Sequence, residues 1–323
     1  MKTLDLGRCT LGIFAATAML GGCDGSHPPL GGPVAASKMV AIATTTRADN
    51  TRLLRKATSS DLLYVIGGDR VYMLSYPTGQ PFGSFSVNGP RQLCSDGKGN
   101  VFLTLDSDQI AEYPHGSTTP IRTLSDPGEG PTGCSVDPTT GNLAVANGGS
   151  GSGSNANVVV YAGGSGSPET FTDASFAHFA FCGYDNAGNL FANGVSPSGQ
   201  FRLAELPKGS STFTDITLDK RVVGGGGGSI QWDDKYMALA AQEGLIYRIT
   251  GSSGHVLGTV KLKARKPYPI FWIQGNRIVS HYAITKLGLW KYPSGGRPIS
   301  KIAGFLIGRS GLGGVTVSVA TTN

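Results

Sequence analysis

Residues 131–147 read P-T-G-C-S-V-D-P-T-T-G-N-L-A-V-A-N, and residues 157–161 continue as N-V-V-V-Y after a loop rich in Gly and Ser. The first segment contains an apolar run ending in Asp137, a tight turn ending in Gly141 and Asn142, and a second apolar run. Gly and Asn accept the positive φ angles of short hairpin turns, and β-branched residues favour strands. The pattern therefore predicts a β-hairpin.

The same unit recurs on both sides of this segment. Residues 90–104 read P-R-Q-L-C-S-D-G-K-G-N-V-F-L-T, and residues 179–193 read F-A-F-C-G-Y-D-N-A-G-N-L-F-A-N. A second marker, a strand end followed by a turn with Pro, Gly or Ser, occurs six times, at Tyr76, Tyr113, Tyr161, Leu206, Ile249 and Tyr292. A period of about 40–45 residues with four short strands per copy is typical of β-propeller blades.

We therefore expect an all-β fold for residues 61–323, a six-bladed β-propeller of four-stranded antiparallel blades. Blade 1 begins at Leu62 without an innermost strand, while an apolar run remains unassigned at residues 313–319. An open blade would expose a sheet edge that other chains could pair with. We predict that residues 315–319 pair as the innermost strand beside residues 62–66 and close the ring.

The repeated pattern also resembles a known family. P-x-G-C-S-V-D-x-x-x-G-N-L-x-V-A-N, followed by N-x-N-V-V-V-Y at residues 155–161, resembles the NHL repeat. Residues 61–320 as a whole resemble a six-bladed propeller of the NHL or gluconolactonase-like type, best in blades 2 to 4. The resemblance implies the fold and leaves the activity open, because such propellers include binding scaffolds, a lyase and other enzymes.

The N-terminus has the features of an export signal. Lys2 and Arg8 form a positively charged region before an apolar stretch, residues 10–20, which is too short to span a bilayer. The following Leu-Gly-Gly-Cys, ending at Cys23, resembles the bacterial lipobox, in which cleavage precedes a cysteine that becomes acylated. An ordinary signal peptide, in which Cys23 has no role, is the alternative.

The chain is thus expected to have three parts. Residues 1–22 are the expected lipoprotein signal peptide, residues 23–60 the lipidated Cys23 with a flexible tether, and residues 61–323 the propeller. The expected location is extracytoplasmic, with the lipid anchoring the protein to a bacterial membrane on the periplasmic side or at the cell surface.

Composition argues against a nucleic-acid partner. The formal charge is +6, and no basic stripe is interleaved with aromatic residues. Charged residues make up 15% of the chain, against a typical ~25%, which fits many buried strands joined by small polar turns. We expect a single toroidal domain, present as a monomer.

Three cysteines of the propeller, Cys94, Cys134 and Cys182, lie two or three residues before the Asp in successive repeats. An odd number in an exported protein suggests a disulfide or a reactive thiol. Sheets packed ~10 Å apart keep Cα atoms beyond the ~7 Å that a disulfide tolerates. We therefore expect three buried small residues and neither a disulfide nor a three-thiolate metal site.

Candidate catalytic residues are few. Asp96, Asp137, Asp185 and Asp233 end the first strand of their repeats, where we expect them to accept backbone N–H bonds in Asx turns. His178 and His281 stand at predicted strand ends that face one mouth of the channel, so either is a candidate catalytic base. No Ser-His-Asp order, H-E-x-x-H or nucleophile elbow is present, and we expect both histidines to be polar surface residues.

Loops on one predicted face differ from blade to blade, and variable loops on a rigid scaffold commonly carry binding sites. Neutral drift of surface loops is the alternative. Within them, Lys263, Arg265, Lys266 and Tyr268 are candidates for binding an acidic glycan, headgroup or protein. Asp126 and Glu129 form a candidate patch of opposite charge.

Two functions remain open. The first is a membrane-anchored scaffold that binds a protein, a glycan or a small molecule and needs no cofactor. The alternative is a lyase or lactonase-like hydrolase at the channel mouth, using His178 or a divalent metal. Gluconolactonase-like relatives hold such a metal with a Glu, an Asn and an Asp, and those positions find no residue-by-residue match in this sequence.

Overall fold

The computed structural model describes residues 60–149, 156–223, 227–242, 244–302 and 312–320. Within them the chain forms 24 strands and two short 3-10 helices, Ala162–Gly164 and Gly251–Ser253. The strands form six antiparallel sheets of four strands each, arranged as the blades of a ring. The predicted six-bladed all-β propeller is confirmed. No described helix is long and apolar enough to cross a membrane.

The first three blades are formed by strands β1 to β11. Blade 1 takes three strands from the start of the described chain: β1 (Leu62–Gly67), β2 (Arg70–Ser75) and β3 (Pro81–Ser86). Blade 2 runs outward from the axis as β4 (Pro90–Ser95), β5 (Val101–Leu105), β6 (Gln109–Tyr113) and β7 (Arg122–Ser125). Blade 3 contains β8 (Pro131–Val136), β9 (Leu143–Asn147), β10 (Asn157–Tyr161) and β11 (Glu169–Phe171).

The remaining blades keep the same order from the axis outward. Blade 4 contains β12 (His178–Tyr184), β13 (Leu190–Val195), β14 (Phe201–Leu206) and β15 (Thr214–Asp215). Blade 5 contains β16 (Ile230–Trp232), β17 (Met237–Gln242), β18 (Leu245–Thr250) and β19 (His255–Lys261). Blade 6 contains β20 (Phe271–Gln274), β21 (Arg277–Ala283), β22 (Lys286–Lys291) and β23 (Gly295–Ile302). The last strand is β24 (Leu312–Ser318).

Ring closure occurs as predicted, between the two ends of the described chain. Strand β24 is the innermost strand of blade 1 and pairs antiparallel with β1, so that Leu63 lies opposite Val317 and Tyr64 opposite Thr316. Val317 is 1% exposed. The C-terminal strand therefore covers the inner edge of β1.

Hydrophobic contacts between neighbouring blades hold the ring together. Successive side chains of a strand point to opposite faces of its sheet. In β1, Leu62 and Tyr64 pack toward blade 2, whereas Leu63 and Val65 pack toward blade 6. Both faces of this strand are buried, and fully burying each such side chain stabilises the fold by about 1.5–3 kcal/mol.

The recurring aspartates stabilise the turns between first and second strands, as the sequence predicts. Asp96 Oδ1 accepts the backbone N–H groups of Lys98 at 2.9 Å and Asn100 at 2.8 Å. Gly99 in this turn has a φ of 86°, which explains the Gly-Asn pattern. In blade 5 the turn is shorter, and Asp234, with a φ of 71°, takes the left-handed position.

One expectation about the cysteines is wrong. Cys94 and Cys134 form a disulfide between blades 2 and 3, with their Cα atoms 5.7 Å apart. Both cysteines lie on innermost strands, β4 and β8, which converge at the axis. The ~10 Å separation of packed sheets does not apply there. Cys182 is a free, buried thiol, and burial raises the pKa of this thiol to about 12.

Candidate functional site

An axial cavity of about 430 Å³ lies among the innermost strands of all six blades. Its lining includes Asp96, Asn186, Asp234 and Gly275, which belong to turns between first and second strands. The cavity therefore opens on this side, the turn face. The opposite side, where one blade connects to the next, is the connection face.

Aromatic side chains form much of the cavity wall. Phe181 and Trp232 are half-buried and pack against the hydrophobic cluster between blades 4 and 5. Trp272 lies on β20 of blade 6. Its side chain packs against two hydrophobic clusters, one between blades 6 and 1 and the other between blades 2 and 3. In the cluster between blades 2 and 3, Cys94 is the one fully buried residue that lies on an innermost strand. The Trp272 indole must therefore extend across the axis toward the disulfide.

The two candidate histidines do not line the axial cavity. His178 is half-buried, with Nδ1 3.3 Å from the Gly148 carbonyl oxygen. His281 is only 1% exposed, and its Nε2 lies 3.0 Å from the Gly313 carbonyl oxygen. Burial lowers the pKa of His281, so a neutral ring donates from Nε2 to that carbonyl. The expectation that His281 is a surface residue is wrong, because its ring is buried beside Tyr268 and tied to β24.

No group of three or more His, Cys, Asp or Glu side chains among the described residues is placed to hold a metal ion. The recurring aspartates are engaged in their turns. The most heavily engaged is Asp233, whose carboxylate accepts from Arg248 Nε at 2.5 Å and from the Tyr292 hydroxyl at 2.6 Å. These hydrogen bonds outweigh burial and lower the pKa of Asp233.

The predicted acidic patch does not form, because Asp126 is 3% exposed. Its Oδ1 accepts the Gly128 N–H at 2.9 Å and the Asn147 side-chain amide at 3.3 Å. Its Oδ2 is buried without a hydrogen-bond partner, and burial raises the pKa of this carboxyl group. Glu129 is exposed, so it is the only member of the pair at the surface.

The predicted cationic loop lies on the connection face, between blades 5 and 6. Lys263, Arg265 and Lys266 are exposed, and Tyr268 is 52% exposed. The backbone N–H groups of Arg265 and Lys266 donate to the Tyr282 carbonyl oxygen at 2.9 and 3.2 Å. Although the four side chains are exposed, the loop backbone is thus fixed to blade 6.

Further cations from blade 6 extend this loop into a larger surface. Lys301 Nζ lies 4.5 Å from the centroid of the Tyr282 ring. Lys286 is exposed at the turn after Tyr282 and pairs with Ala283. We call Lys263, Arg265, Lys266, Tyr268, Lys286 and Lys301 together the basic surface.

An uneven distribution of charge along the chain explains this surface. From Gly244 to Asn323 the sequence contains eleven Lys or Arg residues and no Asp or Glu, so all 21 acidic residues precede Gly244. Among the described cations of this segment, only Arg248 forms an ion pair with a carboxylate. The sequence alone shows this basic segment, as a run of 80 residues without Asp or Glu. The net charge of the whole chain, +6, does not reveal it because the acidic residues lie elsewhere.

No family model matches the sequence. A search of curated proteins likewise found no match. Neither comparison assigns the chain to a family.

Solved structures are similar in fold at low sequence identity. A chain of a nidogen–laminin complex is 10% identical, with a TM-score of 0.62 over 81% of this chain and 100% of that chain. Hydrazine synthase of Kuenenia stuttgartiensis is 13% identical, with a TM-score of 0.50 over 69% and 70%. Apo AztD from Citrobacter koseri is 12% identical, with a TM-score of 0.48 over 80% and 98%. Likeness at such identity concerns the fold alone, and only the first two structures reach a TM-score of 0.50.

Proposed function

We propose that this protein is a membrane-anchored, extracytoplasmic β-propeller of the NHL-like type that binds an acidic partner through the basic surface. The observation that carries the proposal is the excess of positive charge on blade 6 and on the outer half of blade 5. The five cations of the basic surface make no ion pair with a carboxylate among the described residues: Lys263, Arg265, Lys266, Lys286 and Lys301.

Such a surface favours binding over simple solvation. Unpaired charges of one sign repel one another and contribute little or nothing to stability. Their summed potential attracts an oppositely charged partner and raises the rate of encounter. The backbone N–H groups of Arg265 and Lys266 donate to the Tyr282 carbonyl oxygen and so fix this part of the surface in the free protein. Less conformational entropy is then lost on binding.

An acidic glycan is the partner class that fits the basic surface best. Tyr268 presents a half-exposed ring within a few residues of three cations, so an apolar sugar face and an anionic group can be contacted together. The fold also accommodates protein partners, since a propeller of similar fold occurs in a nidogen–laminin complex. An acidic protein is therefore the second occupant that the experiment must distinguish.

Anchoring at Cys23 remains part of the proposal, because residues 1–59 lie outside the described residues. A tether of residues 24–60 would place the propeller near the membrane without fixing which face it presents. The enzymatic alternative is not proposed, since neither His178 nor His281 lines the axial cavity.

Retention on immobilised heparin, a sulfated glycan, tests the proposal. The triple variant Lys263→Ser, Arg265→Ser, Lys266→Ser should elute at a lower salt concentration than wild type, because ionic contacts are screened by salt. The matched control, Lys98→Ser, Lys220→Ser, Arg221→Ser, removes the same two lysines and one arginine from exposed positions elsewhere. It should elute close to wild type.

Melting temperatures of both variants should stay near wild type, since exposed charges contribute little to stability. Equal elution of the two variants would mean that retention follows net charge alone and would refute the proposed surface. Retention by an acidic protein such as polyglutamate but not by heparin would leave the surface intact and replace the glycan with a protein partner.

A further inference from the structure

The axial cavity on the turn face is separate from the basic surface and has its own chemistry. Its volume of about 430 Å³ falls within the ~300–1,000 Å³ of small-molecule sites. It is enclosed by the innermost strands of the whole ring, which cannot shift independently without breaking blade contacts. The cavity is therefore a rigid, largely pre-formed site.

Two indole rings are part of the cavity wall. Trp232 and Trp272 both line it, together with Phe181. The face of an indole ring carries the negative part of its quadrupole and attracts cations more strongly than a phenyl or phenol ring does. Trp272 also packs against the hydrophobic cluster between blades 2 and 3, so its ring lies near the axis.

Charged side chains at the cavity are all negative. The described lining contains Asp96, Asp233 and Asp234 and no Lys, Arg or His. Asp233 is neutralised by Arg248, and Asp96 is engaged by three hydrogen bonds within its turn. Asp234 is exposed, and it takes part in none of the ion pairs of the described residues. Its carboxylate is therefore available at the mouth.

The neutral polar groups are mostly engaged, which disfavours a ligand recognised by many hydrogen bonds. The Gln231 side chain bonds both the N–H and the carbonyl of Ile273, at 2.7 and 2.9 Å. Gln274 Oε1 accepts from Trp272 Nε1 at 3.3 Å. A sugar would need such amides free to satisfy its hydroxyl groups, since buried polar groups without partners are costly.

We propose that the axial cavity binds a small organic cation of the alkylammonium class. The Trp232 and Trp272 rings contact the cationic head, and Asp234 supplies the opposing charge at the mouth. An ammonium group bearing methyl groups suits this site because its apolar surface can be desolvated against aromatic rings while its charge is retained. The ligand carries the opposite charge to any partner of the basic surface.

Tryptophan fluorescence of the full-length protein tests this assignment directly. The chain contains three tryptophans. Trp232 and Trp272 line the cavity, whereas Trp290 is fully buried in blade 6. The probe is choline, and its control is 3,3-dimethylbutan-1-ol, which has the same shape and a carbon in place of the charged nitrogen. Choline should change the emission saturably with a Kd in the millimolar range, about −4 kcal/mol, and the neutral analogue should bind about tenfold or more weakly.

Two charge-matched variants complete the experiment. Asp234→Asn should weaken choline binding by about three- to tenfold, in keeping with a partly desolvated ionic contact. Asp69→Asn removes an exposed carboxylate from a turn of blade 1 on the connection face and should leave binding unchanged. The proposal is overturned if choline gives no saturable change up to about 100 mM. Equal binding of the neutral analogue, or equal effects of the two variants, would also overturn it.

Discussion

Cys94 and Cys134 join the innermost strands of blades 2 and 3 because they stand at different distances from the Asp that ends each strand. Cys94 lies two residues before Asp96, whereas Cys134 lies three residues before Asp137. Since side chains alternate along a strand, this offset of one residue turns Cys94 toward blade 3 and Cys134 toward blade 2. Their sulfur atoms meet between the two sheets.

Removing this disulfide should destabilise the whole ring. Cys94→Ser with Cys134→Ser releases a link across a sequence separation of 40, which the chain-entropy account values at about 4 kcal/mol. Urea unfolding of the oxidised proteins measures the difference. Cys182→Ala, which removes a buried thiol without breaking a link, should cost about 1 kcal/mol. A double variant as stable as the Cys182 variant would show that the disulfide does not constrain the ring.

The same offset predicts where a second disulfide can form. Cys182 lies three residues before Asp185 and packs toward blade 3. Ser135 stands in the Cys94-like position, two residues before Asp137, and its Oγ accepts the Tyr184 N–H at 3.2 Å. Ser135→Cys should therefore pair with Cys182 and remove its free thiol.

Thiol titration of the denatured, unreduced protein measures this outcome. Ser135→Cys should show one free thiol fewer than wild type in the propeller, although it adds a cysteine. The alternative variant Val136→Cys lies one residue further along β8 and points the other way, so it should show one more. Free thiols that rise in both variants would contradict the account of cysteine orientation.

Much of the fold was predictable because the turn sequences, the strand patterns and the spacing of the repeats all indicate the same propeller. The Asp and Gly-Asn turns fix strand ends at fixed spacing, and the unassigned C-terminal run matched the missing strand of blade 1. The disulfide was missed because the ~10 Å spacing of packed sheets was applied at the axis, where strands converge. The one-residue offset of Cys94 was present in the sequence, but it gains meaning only once the convergence of β4 and β8 is known.

The candidate site was less predictable, because exposure cannot be read from residue type. Asp126 was placed at the surface on account of its charge and its loop, yet Gly128 and Asn147 enclose it. The cationic loop was identified correctly as exposed. The axial aromatics were missed because a strand pattern does not reveal which of its residues face the axis.

Asp126 makes stability depend on pH in a definite direction. Its pKa is raised in the folded protein, so the folded state holds a proton more tightly than the unfolded chain. The associated stability is present below the ordinary carboxyl pKa and is lost as pH rises through the raised value. Asp126→Asn removes this loss and should be more stable than wild type at pH 7.

Thermal or urea unfolding between pH 4 and pH 7 measures how the stability of each variant depends on pH. The range starts near the ordinary Asp pKa of ~3.9. The advantage of the Asn variant over wild type should grow across this range. Exposed Asp69→Asn serves as the control for losing one carboxylate. An Asn variant that is less stable than wild type throughout would show that the ionised Asp126 is needed for its hydrogen bonds.

Lipidation at Cys23 has a direct chemical readout. The Leu-Gly-Gly-Cys sequence at residues 20–23 predicts that membrane-extracted protein begins at Cys23 and carries a diacyl or triacyl modification. Intact-mass analysis measures both features. Cys23→Ser should yield an unprocessed or unacylated chain, and a wild-type chain that starts elsewhere without lipid would remove the anchor from the account.

Lysine acetylation footprinting of the wild-type protein, with and without a heparin oligosaccharide, shows whether the basic surface binds an acidic glycan. Mass spectrometry reports the reactivity of each lysine. Lys263, Lys266, Lys286 and Lys301 should become protected if the glycan binds there, while the exposed Lys98, Lys208 and Lys220 should keep their reactivity. Protection spread equally over both groups, or confined to the second, would contradict it.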